Sequence, residues 1–253
     1  MPSHQTGPPH KMEFKDRYHA GRLLAAQLRD YQDRDDVVVL ALPRGGVVVG
    51  YEVAQALHLP LDVLVVRKIG LPEFPELAIG AISTGGLEHI SPEAVRKFQV
   101  TPEALRQVVE EEREELHRRE HRFRGNAPFP DVRGKTVLLV DDGLATGATM
   151  DIAVTAVRQH KPKEIVVAIP VAAAEICDMI LDRADRVVCV HTPIILDAVG
   201  AWYLDFRQTS DEEVVALLDR LRTTGALLAH ASGTPHADSR SAFPRVDDGT
   251  ARA

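Results

Sequence analysis

The chain of 253 residues is poor in cysteine, in aromatic rings and in positive charge. Its two cysteines, Cys177 and Cys189, sit in apolar surroundings without metal-ligand spacing, which excludes a disulfide framework and a thiolate metal cluster. We expect both to be reduced core residues of a cytosolic protein. A formal charge of −7 argues against a nucleic-acid partner, because such binders carry a net basic face. No apolar run approaches the length of a membrane span and the N-terminus lacks an apolar signal core, so no membrane role is expected. A Walker loop needs Gly-Lys-Ser/Thr and a dinucleotide fingerprint needs Gly-x-Gly-x-x-Gly opening a helix; neither occurs where a phosphate loop is expected.

The rest has the length and the 45% hydrophobic content to bury a sizeable core. Residues 1–13 and 223–253 are rich in Pro, Gly, Ser, His and polar groups, and read as disordered tails flanking a domain at 14–222. Inside it, short apolar runs at 37–42, 62–66, 136–140, 165–171 and 186–191 read as strands. Helical spacing recurs at 16–30, 47–57, 148–160, 173–183 and 211–222. Strands alternating with helices predict an α/β fold with a central, mostly parallel sheet covered on both faces. Segment 102–124 departs from that rhythm. Thr101-Pro102 marks a helix start, and Glu114–Arg118, Glu115–Arg119 and Glu120–Arg124 have the spacing of ion pairs along a long, charged helix. A narrow stripe of Leu105, Val109, Leu116 and Phe123 predicts that it packs along the domain edge; capping a substrate or docking a partner is the alternative.

The most informative stretch is Thr136-Val-Leu-Leu-Val-Asp141-Asp142-Gly-Leu-Ala145-Thr146-Gly147-Ala148-Thr149-Met150. It begins as a buried strand and ends as the first turn of a helix. Two adjacent carboxylates stand at the strand's carboxyl end, where open α/β sheets bind ligands. The small residues behind them let a phosphate approach backbone N–H groups at a helix start. Acids that can hold hydroxyls, beside a loop that can hold an anion, describe a sugar-phosphate site.

Val-Asp-Asp-Gly-Leu-Ala-Thr-Gly-Ala-Thr resembles the signature of the type I phosphoribosyltransferases, which bind 5-phosphoribosyl 1-diphosphate (PRPP). The resemblance implies that Asp141 and Asp142 hold the ribose hydroxyls, and that Ala145, Thr146, Gly147, Ala148 and Thr149 wrap the 5-phosphate. Pro43-Arg44-Gly45-Gly46, after the strand at 37–42, resembles the family's pyrophosphate loop, with Pro43–Arg44 as the expected cis peptide. Val66-Arg67-Lys68 is similar to the run that precedes the mobile catalytic loop, which implies that Arg67 and Lys68 meet the diphosphate. Residues 69–90 would form or lead into a lid, with Glu76 or Glu73 as acid or base. Trp202, Tyr203 and Phe206 are candidates for stacking on the acceptor ring; packing that fixes helix 211–222 is the alternative.

The family likeness further implies Mg²⁺, met by Asp141 and Asp142 only through ligand or water, a nitrogenous acceptor, and a homodimer. Ala145 stands where the 6-oxopurine enzymes carry an Asp, so a hypoxanthine-guanine acceptor is not expected, and loop 42–46 does not match the adenine enzymes closely. Two other readings remain: a regulator that senses PRPP or a nucleotide without turnover, and an interaction module with a vestigial pocket.

Overall fold

A computed structural model describes residues 14–231, with side chains described as far as Arg222 and Thr223. The tail expected at 1–13 and residues 232–253 of the tail expected at 223–253 lie outside the described residues. The chain runs α1 (Arg17–Gln27), β1 (Val37–Ala41), α2 (Gly45–Leu57), β2 (Leu61–Val63), β3 (Val66–Gly70), β4 (Ala78–Ser83) and β5 (Leu87–Ile90). It continues through α3 (Pro92–Lys97), α4 (Pro102–Arg124), β6 (Thr136–Val140), α5 (Ala148–Gln159), β7 (Glu164–Val171), α6 (Ala174–Leu181), β8 (Arg186–His191) and α7 (Asp211–Ala231).

Five strands form one parallel sheet in the order β2-β1-β6-β7-β8. Their residues explain the arrangement. Every residue of β1 and of β6 is buried, as expected for Val- and Leu-rich strands covered on both faces. One core face joins Leu40, Leu139, Met150 and Ile169, and the other joins Leu24, Val39, Val53 and Leu138. The order reverses between β1 and β6, so the chain leaves their carboxyl ends in opposite directions and opens a crevice there. Ala41 pairs with Val140, which puts loop 42–46 directly beside Asp141.

The strand expected at 62–66 is two strands. β2 ends at Val63, and β3 starts at Val66 in a separate antiparallel sheet of order β3-β4-β5. The continuous apolar run hid the break, because Leu64 and Val65 are buried in the crossing as well as they would be in a strand. This second sheet, the hood, packs on α4 and α5, and the lid expected at 69–90 is mostly ordered strand with an exposed turn at 72–77. Gly85 and Gly86, at φ 89° and 77°, make the sharp turn from β4 into β5.

α4 has the predicted bounds. The Thr101 side chain accepts a hydrogen bond from the Ala104 N–H, Pro102 occupies the first turn, and Val109, Leu116 and Phe123 are buried. Of its expected ion pairs, Glu115–Arg119 forms at 2.6 Å, whereas Arg118 turns to Glu115 rather than Glu114. Arg124 bonds Asp62 of β2 at 3.0 Å instead of Glu120. Arg124 is nearly fully buried, and a buried guanidinium needs a carboxylate that is buried with it. The helix expected at 211–222 runs on to Ala231, through a stretch whose Leu and Ala favour helix.

Candidate active site

The helices that begin at the crevice are left open at their amino ends. α1, α3 and α4 are capped by the side chains of Asp16, Ser91 and Thr101. α2 begins after Arg44 and α5 after Gly147, and neither has a side-chain cap. The positive ends of their dipoles, and their opening N–H groups other than that of Ala148, are thus available to an anion. Gly147, at φ 72°, holds a left-handed conformation that turns the chain into α5. A Cβ there would sit 2.6 Å from the Met179 side chain, so α6 closes the loop from behind. Ala145, Thr146 and Thr149 are exposed, and Ala148 is half-buried; the Thr146 hydroxyl accepts a long bond of 3.4 Å from the Ala148 N–H.

The second loop approaches the acids closely. The Pro43–Arg44 peptide is cis, as the resemblance of loop 42–46 to the family's pyrophosphate loop implies. A Cβ on Gly45 would overlap the Asp142 carboxylate, and one on Gly46 would lie 2.8 Å from Asp141 Oδ1 and 2.9 Å from the Val140 carbonyl oxygen. Only glycine lets the amino end of α2 lie against both carboxylates. Asp141 Oδ1 accepts from the Asp142 N–H at 2.8 Å. Burial, and then repulsion from Asp142, raise the Asp141 carboxyl well above its ordinary range.

Arg17, at the start of α1, donates to Asp142 Oδ2 at 2.7 Å. Its guanidinium lies 3.8 Å from the Phe206 ring centroid and also donates to the Arg207 carbonyl oxygen at 2.8 Å. The Tyr203 hydroxyl donates to the Asp142 carbonyl oxygen at 2.5 Å. Burial, then the negative Asp142, push that hydroxyl's pKa up, so it stays a donor. Tyr203 packs between Phe14 and Phe206, with ring centroids 5.1 and 4.9 Å apart, and Trp202 lies beside His191 at 5.6 Å. The aromatic cluster therefore buttresses Asp142. Arg17 was not anticipated; it lies 125 positions from its partner, and no local pattern announces that contact.

The remaining residues stand apart from the acids. Arg67 is held by Glu112 of α4 at 2.7 Å. Lys68, its neighbour on β3, is exposed on the opposite face of the hood sheet. Glu73 and Glu76 are exposed in the turn at 72–77. Among the described residues no cluster of three or more His, Cys, Asp or Glu side chains could hold a metal ion, and no helix is long and apolar enough to cross a membrane.

A parallel sheet with a hood, uncapped helix starts at the strand-order reversal and paired acids between them define a class, and the comparisons agree. The chain belongs to the family described as the phosphoribosyl transferase domain, which it matches over residues 13–203. It is 45% identical over 207 residues to a Mycobacterium tuberculosis protein named "Putative phosphoribosyl transferase Rv0571c", covering 82% of this chain and 46% of that protein. The same figures hold for its counterpart MT0597 in a second strain. The chain thus spans about half the length of these relatives. Among solved structures, TT1426 from Thermus thermophilus is similar at 44% identity and a TM-score of 0.73, covering 83% of this chain and 99% of that one.

Proposed function

We propose that the chain transfers the 5-phosphoribosyl group of PRPP to a nitrogenous acceptor, a nucleobase or related heterocycle, with release of diphosphate. The observation that carries this reading is the contact of Gly45 and Gly46 with the two acids. It sets the start of α2 directly against the carboxylate pair that follows β6, and the loop leading into α5 continues from that pair.

In this reading Asp141 and Asp142 accept hydrogen bonds from the ribose hydroxyls and favour the positive charge that develops on the sugar ring. Residues 145–149 hold the 5-phosphate through backbone N–H groups and threonine hydroxyls, and Pro43–Gly46 holds the diphosphate through the N–H groups opening α2. Arg67 and Lys68 complete the charge around the diphosphate, Arg67 after leaving Glu112. Glu76, carried in by the 72–77 turn, serves the acceptor nitrogen as acid or base, while Trp202 and Phe206 border the acceptor and Tyr203 stays at its post behind Asp142. Closing the hood excludes water from a reaction it would otherwise intercept.

The residues fit Mg²⁺: two adjacent carboxylates suit an ion that keeps waters and arrives with phosphates. Bound with the diphosphate, Mg²⁺ would neutralise charge on the leaving group. The test is diphosphate release from PRPP and Mg²⁺ across a panel of heterocycles. Release that depends on one acceptor class is the expected result. Measurable PRPP affinity with no release from any acceptor would replace the enzyme with a sensor.

A further inference from the structure

Loop 42–46 has two faces. Its glycines lie against Asp141 and Asp142. The Arg44 side chain runs the other way, toward Asp211 at the start of α7, at 3.8 Å. On that side lies a cavity of about 360 Å³ lined by Pro43, Arg44, Arg118, Arg119, Phe123 and Asp211. Its walls come from three places in the chain: the cis-peptide loop, the carboxyl half of α4 and the first residue of α7. Phe123 is buried and keeps α4 in place there, so the arginines beside it are presented from a fixed backbone.

The charges around the cavity do not balance. Glu115 is shared: it accepts from Arg118 Nε at 2.7 Å and from Arg119 Nε at 2.6 Å. Asp211 faces Arg44 at a distance too long for a hydrogen bond. Three guanidinium groups thus meet two carboxylates, Glu115 and Asp211. Each guanidinium carries five N–H donors in a planar fork suited to phosphate oxygens. Arg122 is already bonded to Glu212 nearby and adds no net charge. One positive charge and several donors are left over around the cavity.

We propose that this cavity is a second anion site, which takes a phosphate or diphosphate group on the face of loop 42–46 turned away from the paired acids. An occupant bonded to Arg44, Arg118 and Arg119 ties α4 to the loop, and so sets the loop that faces Asp141 and Asp142 from behind. This gives the long helix a role that its family likeness does not supply. The site stands whether or not the crevice turns over PRPP.

The test is calorimetric titration of the full chain with inorganic diphosphate, in EDTA and at low ionic strength. The expected result is saturable binding that weakens tenfold or more in Arg118→Glu/Arg119→Glu and is largely restored in Arg118→Lys/Arg119→Lys. Arg106→Glu, an equal charge change per site near the exposed start of the same helix, should leave it in place. So should Arg67→Gln/Lys68→Gln, which removes the side chains that the proposed function assigns to diphosphate in the donor crevice. Binding that ignores the double reversal would overturn the proposal, since the anion would then sit at the crevice loops alone. An equal loss in Arg106→Glu would also overturn it, by reducing the effect to general charge. Adenosine triphosphate as competitor distinguishes the source: displacement of diphosphate indicates a phosphate ester, and failure to displace it a free anion. Circular dichroism confirms that each variant keeps its helices.

Discussion

The crevice loops and the hood answer the demand for anion-binding groups in different ways. Loops 42–46 and 141–147 offer backbone: glycines pressed on carboxylates and two helix starts without side-chain caps. The hood offers side chains, and its arginine is already engaged, Arg67 with Glu112. Backbone donors are set by the fold and need no rearrangement to meet a ligand. Side-chain donors must exchange a protein partner for the ligand, which makes them suited to a part that closes. Under the proposed function, the contrast means that the loops set the ligand's place and the hood its retention.

The comparison breaks most severely at Gly46. Gly46→Ala puts a methyl group within 2.9 Å of the Asp141 Cα and the Val140 carbonyl oxygen, neither of which can swing away. We expect at least a hundredfold loss of PRPP affinity, roughly 2.7 kcal/mol or more, measured by calorimetry, with folding checked by thermal melting.

A smaller effect, opposite in sign for stability and binding, is expected at Asp141. Its carboxyl is raised above the ordinary value of 3.8 by burial and by Asp142. A carboxyl raised on folding contributes stability that is complete below that ordinary value and is lost as pH rises through the folded-state value. Above that ordinary value Asp141 therefore opposes folding. Asp141→Asn should raise the melting temperature of the ligand-free protein at pH 7, by roughly 2–4 °C for each kcal/mol recovered, and leave it nearly unchanged at pH 3. An unchanged melting temperature at pH 7 would contradict the burial of that charge.

The smallest effect is expected in the hood. Glu112→Gln weakens the hold on Arg67, and partly exposed ion pairs are worth about 0.2–1 kcal/mol. Turnover or the KM for PRPP should change by no more than about fivefold, with no change in the melting temperature beyond about 4 °C. A larger effect would show that the hood, and not the loops, sets the ligand's place.

Much of the loop side was legible in the sequence because its information is local. The strand Thr136–Val140 ends where the apolar run ends, and the acids, glycines and threonines that follow occupy consecutive positions. The Thr101-Pro102 cap fixed the start of α4 for the same reason. What escaped notice is non-local. Arg17 reaches Asp142 only because α1 packs on α2, and Arg124 chooses Asp62 over Glu120 only because β2 brings a carboxylate into its buried surroundings. The break at Leu64-Val65 was hidden because burial alone does not distinguish a strand from a buried crossing.

The most direct test of the paired acids is a calorimetric titration of PRPP with Mg²⁺ into the native chain and into Asp141→Asn/Asp142→Asn. Hydrogen bonds to charged groups contribute about 1.5–3 kcal/mol each, so the double variant should bind PRPP at least a hundredfold more weakly while remaining folded by circular dichroism. PRPP affinity unchanged in a folded double variant would contradict the assignment of the ribose to Asp141 and Asp142.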